Sequence, residues 1–334
     1  MTHAPITIDA AAMAGEDRLR QVVESLAEMF ADLATGRTES PSRTVVQHGP
    51  ERELVTGTAV WERRGVGSVK ITTLTPDNPG RGLPLIHGVV VLTDLETGRV
   101  TALLDGAELT AVRTGAVAAL ATRLCAPEDA DSLAVIGAGV QARASVLAVS
   151  AVRPIRSVRV YSRTPARTEE FARWVRDTTR GRIEATVCDS VEEAVTGAAV
   201  ICTTTSTSDA TPLVRAEWVT PGAHLNVIGG THEDSIEVEP ALLATAYNVV
   251  EDGPTAVAEA GEVRAALAAG LIEEKDLHAL GDLCRGAAPA VPAGPDRRTT
   301  VFRCVGMAIE DTAAAAALYT AATTAAGNTG ENGS

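Results

Sequence analysis

The sequence predicts an α/β protein in which a doubly wound parallel sheet is inserted into a mixed α+β domain. Three observations predict it. An apolar strand runs into a glycine-rich turn, Gly137-Ala-Gly139-Val140-Gln141-Ala142, and an Ala/Val-rich helical stretch follows. Beyond that turn strands and helices alternate, which is the pattern of a parallel sheet covered by helices. More than 100 residues precede the turn and read as a mixture of helix and antiparallel strands, so they must form a different domain.

The elements follow in order. Residues 16–33 place Leu19, Val22, Val23, Leu26, Met29 and Phe30 at helical spacing, which gives an opening helix. A loop through Thr38–Arg43 feeds a strand. Residues 55–61 and 67–73 read as strands, the second short and β-branched, and residues 75–84 as loop. Residues 86–94 and 100–105 are strands around a turn at Glu96-Thr97-Gly98, and residues 109–125 are an Ala-rich helix. Strands are then expected near 132–137, 157–162, 183–188, 199–204, 224–229 and 246–251. Residues 301–322 read as one long Ala-rich helical segment. The resulting division is residues 1–124 plus 302–326 for the first domain and 125–301 for the second, with a disordered tail at 327–334.

Composition narrows the function. A chain of 334 residues with 45% apolar content supports two domains and an ample core, built from small aliphatics because aromatics are only 3%. A net charge of −14 argues against a nucleic-acid footprint. The cysteines (Cys125, Cys188, Cys202, Cys284 and Cys304) are widely spaced and odd in number, as expected of isolated thiols in a reducing cytoplasm. No metal-ligand spacing, signal peptide or membrane-length apolar run is visible.

The glycine turn has the form G-x-G-x-x-A, the Rossmann-type dinucleotide signature. Gly137 permits the tight turn and Gly139 lets backbone approach a pyrophosphate. Val140 and Gln141 open the helix whose N-terminus faces the anion, and Ala142 keeps that helix close to its strand. The next strand ends in Ser162-Arg163-Thr164, with Arg167 one turn on. An acid there would hold the 2′-hydroxyl of NAD and repel a 2′-phosphate. A guanidinium with hydroxyls suits the phosphate, so the cofactor is read as NADP(H) over NAD(H). Two later strand ends face the same crevice. One carries Thr203, Thr204 and Thr205. The other carries Gly229, with Thr231 just beyond it as a residue facing the substrate or the ring, or as a plain helix cap.

Of the cations that precede the turn, three lie near an end of a predicted element rather than inside a polar run: Arg43, Lys70 and Arg113. The chain holds 29 basic residues, and only Lys70 and Lys275 are lysines, so a surviving lysine hints that a compact ammonium is needed. Lys70 has largely apolar strand neighbours. Arg113 sits in an otherwise apolar helix, where snorkelling or a buried anion must account for it. Singly, each has a structural reading. Converging, they would clamp a carboxylate. His87, before Gly88, is read as a substrate-side proton relay or as a packed histidine.

Together these segments resemble the ornithine cyclodeaminase/μ-crystallin family. The match runs through Val69-Lys70, Gly82-Leu-Pro84-Leu-Ile-His87-Gly88, Leu104-Asp-Gly106 and Leu109-Thr-Ala-Val-Arg113-Thr-Gly115. It continues through the glycine turn and Asn226-Val-Ile-Gly229-Gly230. It closes with Ala279-Leu-Gly281-Asp282 and Thr300-Val-Phe302-Arg-Cys-Val-Gly306-Met-Ala-Ile-Glu-Asp311. The resemblance implies a homodimer whose first domain binds substrate and dimerises. It also implies that Arg43, Lys70 and Arg113 bind a substrate carboxylate. The cyclodeaminases of that family carry an aspartate where this chain has Thr231, and its NAD-dependent members an acid where this chain has Ser162-Arg163-Thr164. Both departures resemble the ketimine reductases. The expected activity is therefore NADPH-dependent reduction of a C=N bond beside a carboxylate, with Lys70, Arg113 and Thr231 at the reacting end. Cyclodeamination of ornithine or lysine, amino-acid dehydrogenation, and ligand binding without turnover are the alternatives.

Overall fold

The computed structural model describes residues 4–49, 51–206, 210–230, 234–289, 291 and 297–330, with backbone only for Pro79 and 326–330. The chain divides into two compact units, one of Met1–Arg113 with Gly306–Ser334, the other of Thr114–Val305.

The first unit is built on a seven-stranded sheet. Its strands are β1 (Ile6–Ile8), β2 (Thr38–Glu39), β3 (Thr44–Gln47), β4 (Glu53–Trp61), β5 (Val66–Leu74), β6 (Ile86–Asp94) and β7 (Val100–Asp105). They lie in the order β1-β7-β6-β5-β4-β2, with β3 also on β4, and every pairing but β1 with β7 is antiparallel. After β1 come α1 (Ala10–Met13) and α2 (Glu16–Leu33). The apolar stripe of α2 is buried as its spacing requires, with Val22, Leu26, Met29 and Phe30 inaccessible. The last helix of the chain, at Ala308–Gly330, packs against both α2 and this sheet.

The second unit is a doubly wound sheet of eight parallel strands. They are β8 (Ser132–Ile136), β9 (Ser157–Tyr161), β10 (Glu184–Val187), β11 (Val200–Thr203), β12 (His224–Val227), β13 (Tyr247–Val250), β14 (Leu277–Ala279) and β15 (Thr300–Arg303). Their order is β10-β9-β8-β11-β12-β15-β13-β14. The order reverses between β8 and β11, which is where such sheets bind ligands, outside the carboxyl ends of the strands. The helices α3 (Gly106–Cys125), α4 (Val140–Val152), α5 (Pro165–Thr178), α6 (Val191–Val195), α7 (Gly253–Glu259), α8 (Gly261–Ala268), α9 (Leu280–Cys284) and α10 (Ala308–Gly330) complete the chain. The division between the units falls inside α3, just after Arg113.

One expected element is corrected. Residues 301–322 are not one helix. Val301 and Phe302 lie in β15, buried between β12 and β13, and a helix begins only at Ala308. The β-branched and aromatic pair prefers a strand, which ends at Arg303, and Gly306 takes a left-handed φ of 81° in the connection to the helix. Alanine-rich sequence then carries α10 to Gly330, past the point at 327 where disorder was expected to start. Residues 331–334 lie outside the described ones. The three-residue strands β1 and β14 were not anticipated, being too short to show a period.

Candidate active site

In the first unit, Lys70 projects from the middle of β5 on the face covered by α10. The same face is fixed by Ser68, two residues back, whose hydroxyl meets Thr312 Oγ1 at 2.7 Å. Lys70 Nζ donates to Asp311 Oδ1 at 3.1 Å and to the hydroxyl of Thr110 on α3. Thr110 in turn donates to the Gly106 carbonyl at 2.6 Å. One helical turn beyond Thr110, Arg113 Nη1 donates to Glu310 Oε2 at 2.7 Å, and its Nε lies 3.3 Å from the same Asp311 Oδ1. The buried anion that Arg113 demanded is thus this pair of acids from α10. The Lys70 and Arg113 side chains are only 13% and 11% exposed, and Glu310 is fully enclosed. Burial pushes the Lys70 ammonium below the ordinary lysine range. Asp311 pulls it back up and Arg113 pushes it further down.

Two glycines make room for the cluster. A Cβ on Gly306 would lie 2.9 Å from Arg113 Nη1, so the guanidinium rests on bare backbone. Gly57 is the cross-strand partner of Lys70, and a Cβ there would crowd Ala308 at 3.2 Å with the Arg43 stem at 3.7 Å. Arg43 therefore passes over the position opposite Lys70. The structure joins Lys70 and Arg113 through Asp311 and lays the stem of the exposed Arg43 over Gly57 on the same sheet face. His87 is not there. It pairs with Thr73, whose side chain points to the opposite face from Lys70, and it is exposed.

In the second unit the glycine turn joins β8 to α4. Gly137 has φ 114°, and a Cβ there would lie 2.6 Å from Thr204 Oγ1. Thr204 itself bonds the Ile136 carbonyl through both its amide and its hydroxyl. The two strand ends at the reversal point are thus packed backbone to side chain, and only glycine fits. Gly139 caps α4 with no side-chain hydrogen bond, and a Cβ on it would meet nothing within 4 Å. The first turn of α4 holds no acid, and the leading amides of a helix have no partner within it. Val140 is 65% exposed, and the buried Gln141 Oε1 has no hydrogen-bond partner among the described residues. A bare helix N-terminus, an open glycine and an orphaned amide oxygen fit a pyrophosphate and its sugar.

At the end of β9, the Ser162 hydroxyl is 2.7 Å from Thr168 Oγ1, which leaves it only partly available. Thr164 caps α5 ahead of Pro165, and the first turn of that helix holds no acid. Arg163 and Arg167 are both exposed beside it. Thr203 is fully buried at the end of β11, and Thr205 donates through its amide and hydroxyl to the buried Glu237. Gly229 follows β12 so closely under Glu237 and the Thr205 carbonyl that any Cβ would lie 2.3 Å from both. Thr231 lies outside the described residues, and Asp234 is exposed.

The family model for the ornithine cyclodeaminase/mu-crystallin family matches residues 6–326. The chain belongs to that family. Mouse ketimine reductase mu-crystallin is 33% identical over 327 residues, covering 96% of this chain and 98% of that protein. Delta(1)-pyrroline-2-carboxylate reductase of Bacillus cereus (strain ZK / E33L) is 33% identical over 305 residues, covering 90% and 91%. Among solved structures, the delta(1)-pyrroline-2-carboxylate reductase of Thermococcus litoralis, in complex with NADH and L-proline, superposes with a TM-score of 0.86. It is 28% identical and covers 96% of this chain and 98% of its own.

The structure adds residues that the sequence left unnamed. Glu310 and Asp311 belong to the closing motif but looked like ordinary acids in the first turn of a helix, where the helix dipole favours them. The usable signal was their place in a helix that holds no other charged residue. Glu237 and Glu262 gave no signal at all, because their burial depends on tertiary packing.

Proposed function

We propose that this chain reduces a C=N bond adjacent to a carboxylate, with NADPH as the hydride donor. The observation that carries the reading is the convergence of Lys70 and Arg113, each nearly enclosed, on Asp311, with the stem of the exposed Arg43 over Gly57 on the same sheet face. When bound, the nicotinamide supplies the hydride that the imine carbon accepts. Lys70 and Arg113 hold the carboxylate and so fix which face of that carbon is presented.

Asp311 and Glu310 set the charge of this site. Lys70 and Arg113 face Glu310 and Asp311, so the buried part of the cluster, without the exposed Arg43, is formally neutral before substrate arrives. A bare 2-oxo acid would leave one negative charge in a mostly buried place, which is costly. An imine carboxylate protonated on nitrogen brings no net charge. The acids favour that protonated form, and protonation makes the imine carbon the better electrophile.

Arg163 and Arg167 carry the choice of NADPH. They stand at the end of β9 where no carboxylate opposes a 2′-phosphate. Thr231 remains a candidate for the reacting end. We place the assembly as a homodimer. Val46, Leu54, Val69 and Ile71 lie on the sheet face turned away from α10 and are 37–52% exposed, an apolar surface that suits a second copy. A cytoplasmic setting agrees with five cysteines that form no disulfide. Among the described residues no helix is long and apolar enough to cross a membrane. The test is consumption of NADPH with Δ1-pyrroline-2-carboxylate or a six-membered cyclic ketimine carboxylate, with the amino acid identified as product. Strict preference for NADH contradicts the cofactor choice. Release of ammonia from ornithine without net cofactor change contradicts the reaction.

A further inference from the structure

Beneath the carboxyl edge of the second sheet lies a buried polar line that the site above does not use. Arg303 ends β15 and is 3% exposed. In register it sits beside Val227, which sits beside Thr203, which sits beside Ile136, so these four close one row across the sheet. Its guanidinium turns back over that row. Nη1 donates to the carbonyls of Gly229 at 2.6 Å, Cys304 at 3.0 Å and Val227 at 3.2 Å, and Nη2 donates to the Gly230 carbonyl at 2.6 Å. Nε lies 3.0 Å from Glu262 Oε2. The other oxygen of Glu262 accepts the Glu237 amide at 2.8 Å, and the Glu237 carboxylate accepts the amide and hydroxyl of Thr205.

These bonds tie together two turns. The amides of Ile228 and Gly229 both donate to the Thr203 carbonyl at 3.0 Å, and the Gly230 amide donates to the Thr205 carbonyl at 3.2 Å. From Thr204 the packing passes to Gly137, whose missing Cβ would lie 2.6 Å from Thr204 Oγ1. A buried guanidinium spent on four backbone carbonyls is an unusual use of a charge in a sheet. A lone carboxylate partner does not require it, and β15 needs no such cap to pair with its neighbours.

We infer that Arg303 is a positioning residue for the cofactor: by gripping the carbonyls of Val227, Gly229 and Gly230, and through Glu262 and Glu237 the end of β11, it holds the two turns that border the nicotinamide half. Arg303 does not touch the ligand. It fixes the backbone on which the ligand lies. The inference rests on reading this edge as the dinucleotide site, and cofactor binding is therefore its readout rather than imine turnover.

The test compares wild-type protein with Arg303→Met and Arg303→Lys. NADPH affinity is followed by fluorescence titration without substrate, and amide hydrogen exchange is followed in the free protein. In Arg303→Met, the NADPH dissociation constant rises by about tenfold or more and exchange at Ile228, Gly229 and Gly230 accelerates, while the KM for the imine changes by less than about threefold. Arg303→Lys restores part of the affinity. A folded Arg303→Met protein with wild-type affinity and wild-type exchange overturns the inference. Should that variant fail to fold, the wild-type protein decides. Slow exchange at Thr205, Ile228, Gly229 and Gly230, matching the interior of β12, supports the clamp, and exchange as fast as an exposed loop refutes it. If wild-type protein binds NADPH tightly but turns over no imine, the proposed reaction fails and the clamp stands.

Discussion

Asp311 and Lys70 form a 3.1 Å ion pair in which the same carboxylate oxygen also lies 3.3 Å from Arg113 Nε. One acid thus meets both the ammonium of the lysine and the guanidinium of the arginine. Burial already lowers the lysine's pKa, and Asp311 is what raises it. Removing the acid with Asp311→Asn therefore lowers it further. If Lys70 grips substrate as proposed, its protonated form is lost at a lower pH, and the alkaline limb of kcat/KM moves toward acid. Loss of one charge-assisted contact of about 1.5–3 kcal/mol also lowers kcat/KM by about 10- to 150-fold at neutral pH. A pH profile of the variant with an unmoved alkaline limb removes Lys70 from substrate binding.

Cofactor choice is tested at the end of β9. Replacing both Arg163 and Arg167 with serine removes two exposed guanidinium groups without touching the buried strand. The expected result is a rise of about 100-fold in the KM for NADPH, with the KM for NADH changed by less than about threefold. Equal effects on both cofactors would mean that these arginines do not read the 2′-phosphate.

Gly137→Ala strikes the turn twice. Its φ of 114° disfavours any side chain, and the new methyl would press on Thr204 Oγ1 at 2.6 Å. A destabilisation of about 1–3 kcal/mol is expected in chemical denaturation, together with weaker NADPH binding. Gly139→Ala, with open space for its Cβ, leaves stability nearly unchanged and weakens only the cofactor. Similar stability losses in both variants would contradict this division of roles.

Ile71→Asp places a charge on the outer face of the first sheet, where the native side chain is 38% exposed. If that face joins two copies, light scattering shows the variant as a monomer while wild-type protein is a dimer. A variant that stays dimeric moves the interface elsewhere.

The fold was legible where a local rule governed it. The glycine turn and the alternation after it announced the parallel sheet, and the six strands expected from 132 to 251 are all present. The period of residues 16–33 matched α2 to the residue. The 301–322 segment was misread because an Ala-rich run dominated its local pattern. Only the slot between β12 and β13 makes Val301 and Phe302 a strand. The cations were visible as types out of place, a rare lysine in an apolar strand and an arginine in an apolar helix. Their partners were not, because Asp311 meets Lys70 across 241 positions of chain, and Glu310 meets Arg113 across 197, only after α10 has packed. The same holds for Arg303, whose carbonyl partners are separated from it by 73 to 76 residues, apart from its neighbour Cys304.

The most direct measurement of the central claim follows the hydride itself. NADPH carrying deuterium at the transferring C4 position is incubated with the enzyme and Δ1-pyrroline-2-carboxylate, and the product is examined by mass spectrometry and NMR. The account predicts one deuterium on the carbon bearing the carboxylate, with a single configuration, and loss of this product when Lys70 or Arg113 is replaced by methionine. Product without deuterium, or full transfer in both variants, would contradict it.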